Sequence, residues 1–131
     1  MIRIMEVEDI VKILKLNDPN FSTLFSCSVG EWVQFLIQHA EDDNFFMVGT
    51  VKDEILEGYL IAYFVELPIS KGVSVLYSKT AGKENNTKAL LKLKEWANER
   101  KAKSIDIVTN NPIGHTVYGF KKSATVMTIK L

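Results

Sequence analysis

Few side chains in this sequence are suited to chemistry, and they are scattered. There are two histidines, His39 and His115, and one cysteine, Cys27. Two separated histidines and a lone cysteine make no metal set, so no metal is expected. No G-x-S-x-G elbow, C-x-x-C pair or Walker loop occurs. Proton transfer and electrostatics remain. An imidazole is the side chain best suited to proton transfer near neutral pH, so His115 is a candidate general acid or base; the other reading is a solvated turn histidine. Asp106 stands between Ile105 and Ile107 in a β-rich stretch. A carboxylate inside a strand needs a partner or a site, unless it faces solvent. Glu66 closes another β-rich stretch. Glu41, Asp42 and Asp43 read as a solvated loop, and His39 as the complement of a helix C-terminus. No basic residue stands beside Cys27 in the sequence to favour a nucleophilic thiolate, so it reads as a small, partly buried residue.

The elements that must position these residues are legible from periodicity. Met1–Met5 reads as a short strand. Val7, Ile10, Val11 and Leu14 fall at helical spacing and predict an amphipathic helix over Glu6–Leu16. Asn17, Asp18, Pro19 and Asn20 break it. Ser28 and Glu31 have capping-box spacing and open a second helix over Val29–Ala40, with Val33, Leu36, Ile37 and Ala40 inward. Asn44–Val51 and Leu56–Leu67 read as a hairpin around Lys52–Glu54. Val73, Val75 and Tyr77 alternate with Ser74, Leu76 and Ser78 in a third long strand. A helix over Asn86–Ala102 carries the stripe Ala89, Leu90, Leu93, Trp96 and Ala97. Ile105–Thr109 is a strand, Ile113–Val117 one or two helical turns, and Lys122–Leu131 a last strand.

The order is therefore β-α-α-β-β-β-α-β-α-β, a mixed α/β sheet. The strand–helix–strand unit from Val73 to Thr109 implies one parallel pair. Its 131 residues, 47% hydrophobic, suit a single domain over 1–131 with a real core. Basic and acidic residues both number 16, so net charge gives no argument for a nucleic-acid partner. The longest apolar run, Tyr59–Val65, is too short to span a bilayer. Glu6, Glu8 and Asp9 precede any apolar stretch, so no signal peptide is expected. With one cysteine and so no internal disulfide, a cytoplasmic protein is expected.

This order resembles the GNAT superfamily of N-acetyltransferases, and local patterns agree. Ile2-Arg3-Ile4 followed by Val7-Glu8-Asp9-Ile10 is similar to the family's opening strand and "eDi" helix. Glu57-Gly58-Tyr59-Leu60 resembles its "vGy" step, and Asn110 followed by Gly119-Phe120-Lys121 its late "N…Y…GF" segment. The resemblance covers nearly the whole chain and implies acetyl-CoA as co-substrate, held where the fourth and fifth strands part. It aligns Val75, Leu76 and Tyr77 with the strand whose backbone pairs with the pantetheine arm. The pyrophosphate loop, Q/R-x-x-G-x-G/A in the family, falls on Gly82–Thr87, with Asn85 and Thr87 where the glycines belong. Free amides at a helix N-terminus bind pyrophosphate; here Lys83, Asn85, Asn86, Thr87 and Lys88 would surround it. Asn85 or Asn86 is equally readable as the helix N-cap. The family's general acid, often a Tyr four residues before the GF glycine, falls on His115, and Tyr118 is the neighbouring alternative. Asn110 joins the cofactor set through the late motif. Glu66 and Asp106 are the carboxylates available to an acceptor amine.

Two functions fit. One is an acetyl-CoA-dependent N-acetyltransferase in which an acceptor amine, small or peptidic, attacks directly. The other keeps the fold without the activity, as a binding or assembly module. The last strand, rich in β-branched residues, suits pairing across a homodimer.

Overall fold

A computed structural model of the chain describes residues 1–19, 21, 26–67, 70–108, 115–116, 118–122 and 127–131. Strand β1 (Ile2–Ile4) leads into helix α1 (Val7–Val11), which tightens into a 3-10 turn (Lys12–Lys15). The single helix expected over Glu6–Leu16 is thus two shorter pieces. Glu6 and Asp9 form a capping box at its start, and Arg3 pairs with the buried Asp9 at 2.6 Å. Burial pushes the Asp9 pKa up, but the Arg3 hydrogen bond and the Glu6 amide outweigh it, so the net direction is down.

Helix α2 (Val29–Gln38) starts at the expected Ser28–Glu31 capping box. Its buried face is Trp32, Val33 and Leu36, whereas Ile37 is exposed. Trp32 takes the inward place because its indole N–H finds the Tyr59 hydroxyl at 3.0 Å, which makes its burial tolerable.

Strands β2 (Phe45–Lys52), β3 (Ile55–Leu67) and β4 (Ser70–Lys79) form an antiparallel meander, and β5 (Ile105–Ile107) joins β4 in parallel. The sheet order is β1-β2-β3-β4-β5. Asp53 and Glu54 both have positive φ in the β2–β3 turn, the geometry a two-residue hairpin demands. Helix α3 (Lys83–Glu99) crosses over from β4 to β5. It begins three residues before Asn86 and places Leu93 and Ala97 in the core as the stripe predicts. The strand expected to end at Thr109 ends at Ile107. Of the expected last strand, Lys122 and 127–131 are described, and they belong to no strand.

One core lies on each face of the sheet. Under α1 and α2 are Ile10, Leu36, Ile61, Tyr59 and Tyr77. Under α3 are Val48, Leu60, Ala62, Val73 and Leu93. Strand β2 is buried on both sides from Phe46 to Val51.

Gly58 admits the chain as it leaves β4. A Cβ there would collide with the Lys79 carbonyl oxygen and lie 2.8 Å from the Ala81 Cβ. Gly58→Ala should lower stability by about 2 kcal/mol, since backbone cannot yield as a side-chain tip can. A urea midpoint equal to that of the parent chain would contradict this close approach.

Candidate functional site

Among the described residues, strand β4 pairs with β5 at three positions, Val73–Ile105, Ser74–Asp106 and Val75–Ile107. It then runs on to Lys79 against β3 alone, among the described residues. At the parting point the β3–β4 register slips: Ala62 faces Val75 while Ile61 faces Tyr77. Leu76 is the extra residue, a β-bulge of the kind that re-aims side chains beside sites. Its effect is visible in the two cores. Val73 and Val75 pack toward α3, while Leu76 and Tyr77 pack toward α1 and α2. Strict alternation, as read from the sequence, would have kept Tyr77 beside Val75 on one face.

Above the parting strands lies a cleft between the sheet, α3 and the segment 115–120. Its walls include Val75, Ser78, Lys79, Asn86, Leu90 and Ile107, closed by His115, Tyr118 and Phe120. Its lining is mostly apolar, with Ser78, Thr80, Asn86, His115 and Tyr118 among its polar members.

The first turn of α3 adjoins the cleft through Asn86. Its N-cap is Gly82, at φ 91°, with no side-chain cap. Neither Asn85 nor Asn86 is the N-cap, because the helix has already begun. Asn86 accepts instead from the Ala81 amide at 3.1 Å, and Asn85 Nδ2 donates to the Ala81 carbonyl at 2.9 Å. Both asparagines hold the turn and leave the amides of Lys83, Glu84 and Asn85 without intrahelical acceptors. The left-handed residue is Gly82, so Asn85 and Thr87 need no glycine for the chain to turn. Thr87 turns its hydroxyl back to the Lys83 carbonyl at 2.8 Å. Glu84, exposed, pairs with Lys88 at 3.1 Å, which directs its charge away from the amides. Lys83 is exposed at the mouth of the turn.

The structure brings His115 and Tyr118 together at the cleft. Tyr118 accepts from Asn86 Nδ2 at 3.4 Å, and His115 meets Phe120 edge-on, centroids 5.9 Å apart. It does not bring the carboxylates there. Glu66 pairs across the hairpin with Lys71 at 3.2 Å, at the end of β4 remote from the parting point. Asp106 is exposed and accepts from Ser104 at 3.2 Å, the solvent-facing alternative. Asn110 lies outside the described residues. Among the described residues no group of three metal-ligating side chains occurs.

A polar pair behind the bulge has no local signal in the sequence. Tyr77 donates to Asp18 at 2.6 Å across 59 residues of chain, and Tyr59 accepts from Trp32. Burial raises the Tyr77 pKa far above its usual value, reinforced by the Asp18 hydrogen bond and charge. Burial likewise raises Tyr59. Both phenols stay protonated across the working pH range. A chain break such as Asn17–Asn20 marks a turn, and only the tertiary fold shows what its aspartate meets.

No protein-family model and no curated protein sequence matches this chain. Its fold is found among solved structures. A predicted acetyltransferase with acetyl-CoA from Clostridium acetobutylicum superposes with a TM-score of 0.80 at 13% identity, over 99% of this chain and 95% of that one. Glucosamine-6-phosphate N-acetyltransferase from Arabidopsis thaliana gives 0.74 at 12%, over 99% and 97%. A transcriptional regulator from Bacillus halodurans C-125 gives 0.76 at 17%, over 100% and 99%. At such identities the likeness establishes architecture: this chain has the GNAT fold.

Asn86 ties the β4–α3 turn to Tyr118, so Asn86→Ala should cost about 1 kcal/mol in urea unfolding. Asn86→Asp, which keeps the acceptor for Ala81, should recover most of that. Equal losses in both variants would show that the Ala81 hydrogen bond contributes nothing.

Proposed function

We propose that this chain is an acetyl-CoA-dependent N-acetyltransferase acting by direct transfer to an amine. One observation carries the reading: among the described residues, β4 parts from β5 at the Leu76 bulge, beside a helix N-terminus that no side chain caps. The acetyl-CoA and the N-acetyltransferase in the descriptions of structures sharing the fold support it.

In this reading the amides of Lys83, Glu84 and Asn85 accept the pyrophosphate, with the helix dipole and the Lys83 ammonium adding charge. The backbone of Val75 to Tyr77 takes the pantetheine arm where β5 no longer pairs. The Leu76 amide donates to the thioester carbonyl and stabilises the charge that develops there. The amine nitrogen forms its bond to the carbonyl carbon and the carbon–sulfur bond breaks. His115 or Tyr118, at the cleft wall, gives the departing thiolate its proton, and the amine's surplus proton leaves to water. Most of the rate then comes from holding the two reactants in line.

Isothermal titration with acetyl-CoA, and with CoA as control, tests the reading. Binding at micromolar strength is expected, weakened at least tenfold by Asn85→Glu, which sets a carboxylate among the amides. Of His115→Ala and Tyr118→Phe, the one that removes the proton donor should lower kcat by about 10²–10⁴. Absence of binding at millimolar acetyl-CoA would refute the enzyme and leave the fold as a binding or assembly module.

A further inference from the structure

On the sheet face away from α3, directly behind the bulge, Asp18 uses only half of its hydrogen-bonding capacity. Its Oδ2 accepts from Tyr77 at 2.6 Å, whereas Oδ1 is buried with no partner. None of the ion pairs among the described residues includes Asp18. The surroundings are aromatic. Phe21 meets Tyr77 edge-on at 5.7 Å and Trp32 at 6.0 Å. Tyr77 lies 5.7 Å from Tyr59 and 6.3 Å from Trp32.

A buried acceptor left unmade costs on the order of 1–3 kcal/mol, more when charged. Folding gains nothing from keeping one. An uncompensated carboxylate among aromatic rings is, however, what an organic ammonium group needs: a charged acceptor for its N–H and π-electron density for its positive surface. The residue as a whole is only half-buried, and Asn17 and Pro19 on either side are exposed. The carboxylate therefore lies one side chain's depth from solvent.

The position decides which nitrogen is held. Tyr77 leaves β4 immediately after Leu76, and the full length of its side chain separates that strand from Asp18. An amine attacking beside the Leu76 amide cannot touch Asp18 at the same time. We infer that Asp18, with Phe21, Trp32, Tyr59 and Tyr77, forms a subsite for a second, non-reacting ammonium group, so that the acceptor is an aliphatic amine carrying two positive charges. The link to acetyl transfer rests on the function proposed above; the ammonium subsite itself does not.

The test uses Trp32 as its own reporter. The chain has two tryptophans, so Trp96→Phe leaves Trp32 alone, and circular dichroism checks that the variant is folded. Titration with 1,4-diaminobutane at constant ionic strength should change Trp32 emission saturably, and the uncharged 1,4-butanediol should not. Asp18→Asn, which keeps the shape and the Tyr77 hydrogen bond, should weaken the diamine at least tenfold. In the transfer assay the same substitution should raise KM for the diamine about tenfold with kcat and acetyl-CoA binding unchanged. No saturable change, or equal affinity in Asp18→Asn, overturns the subsite. Saturable, Asp18-dependent binding in a chain that fails to bind acetyl-CoA supports the subsite and removes only the acetyltransferase reading.

Discussion

Two parallel strands that stop pairing partway leave backbone amides and carbonyls with no ladder partner, and such groups must find partners elsewhere. Among the described residues that happens after Val75–Ile107. The strand that continues, β4, is held on its other edge by β3 as far as Lys79, so it cannot close toward β5 without losing those bonds. The Leu76 bulge fixes the parting point, because the extra residue bends the strand where pairing ends. The cleft, the adjoining helix terminus and the turned Tyr77 all depend on this one irregularity.

The two cores keep the opening from collapsing. Leu93 and Ala97 seat α3 on Val48, Leu60 and Val73, so its N-terminus is carried by the rigid middle of the sheet. On the far face, the Trp32–Tyr59 and Tyr77–Asp18 hydrogen bonds tie α2 and the chain after α1 to β3 and β4. Each bond joins a buried aromatic side chain to a polar partner, which makes these rings stiff supports as well as apolar filling. Gly58 lets the chain leave β4 close over β3, which sets where α3 can begin.

Much of the fold was readable in the sequence because its signals are periodic or local. The Ser28–Glu31 capping box and the apolar stripe of α3 are present, although α3 runs from Lys83 to Glu99, beginning and ending three residues before the expected Asn86–Ala102. The site was legible only in part. The expectation of acetyl-CoA where the fourth and fifth strands part came from the resemblance to the GNAT superfamily, and among the described residues β4 and β5 do part after Val75–Ile107. The side-chain facing at Tyr77 was misread, because a bulge breaks alternation without any residue type announcing it. Asn85 and Asn86 look like N-caps, yet Gly82 starts the helix earlier and sends both side chains to Ala81. Asp18 reads as a helix breaker, and its carboxylate finds Tyr77 only through long-range packing. Glu66 and Asp106 have the right charge for an amine, but a cross-hairpin Lys71 and the solvent-facing side of β5 occupy them.

The central claim is that the β4 backbone beyond its described pairing with β5 and the uncapped α3 terminus form one ligand seat. Amide chemical-shift mapping of the ¹⁵N-labelled chain on adding acetyl-CoA tests it most directly. The account predicts the largest shifts at Leu76, Tyr77 and Lys83–Asn85 together, with Glu66 and Asp106 unmoved. Shifts confined to other surfaces, or none at saturating ligand, would contradict it.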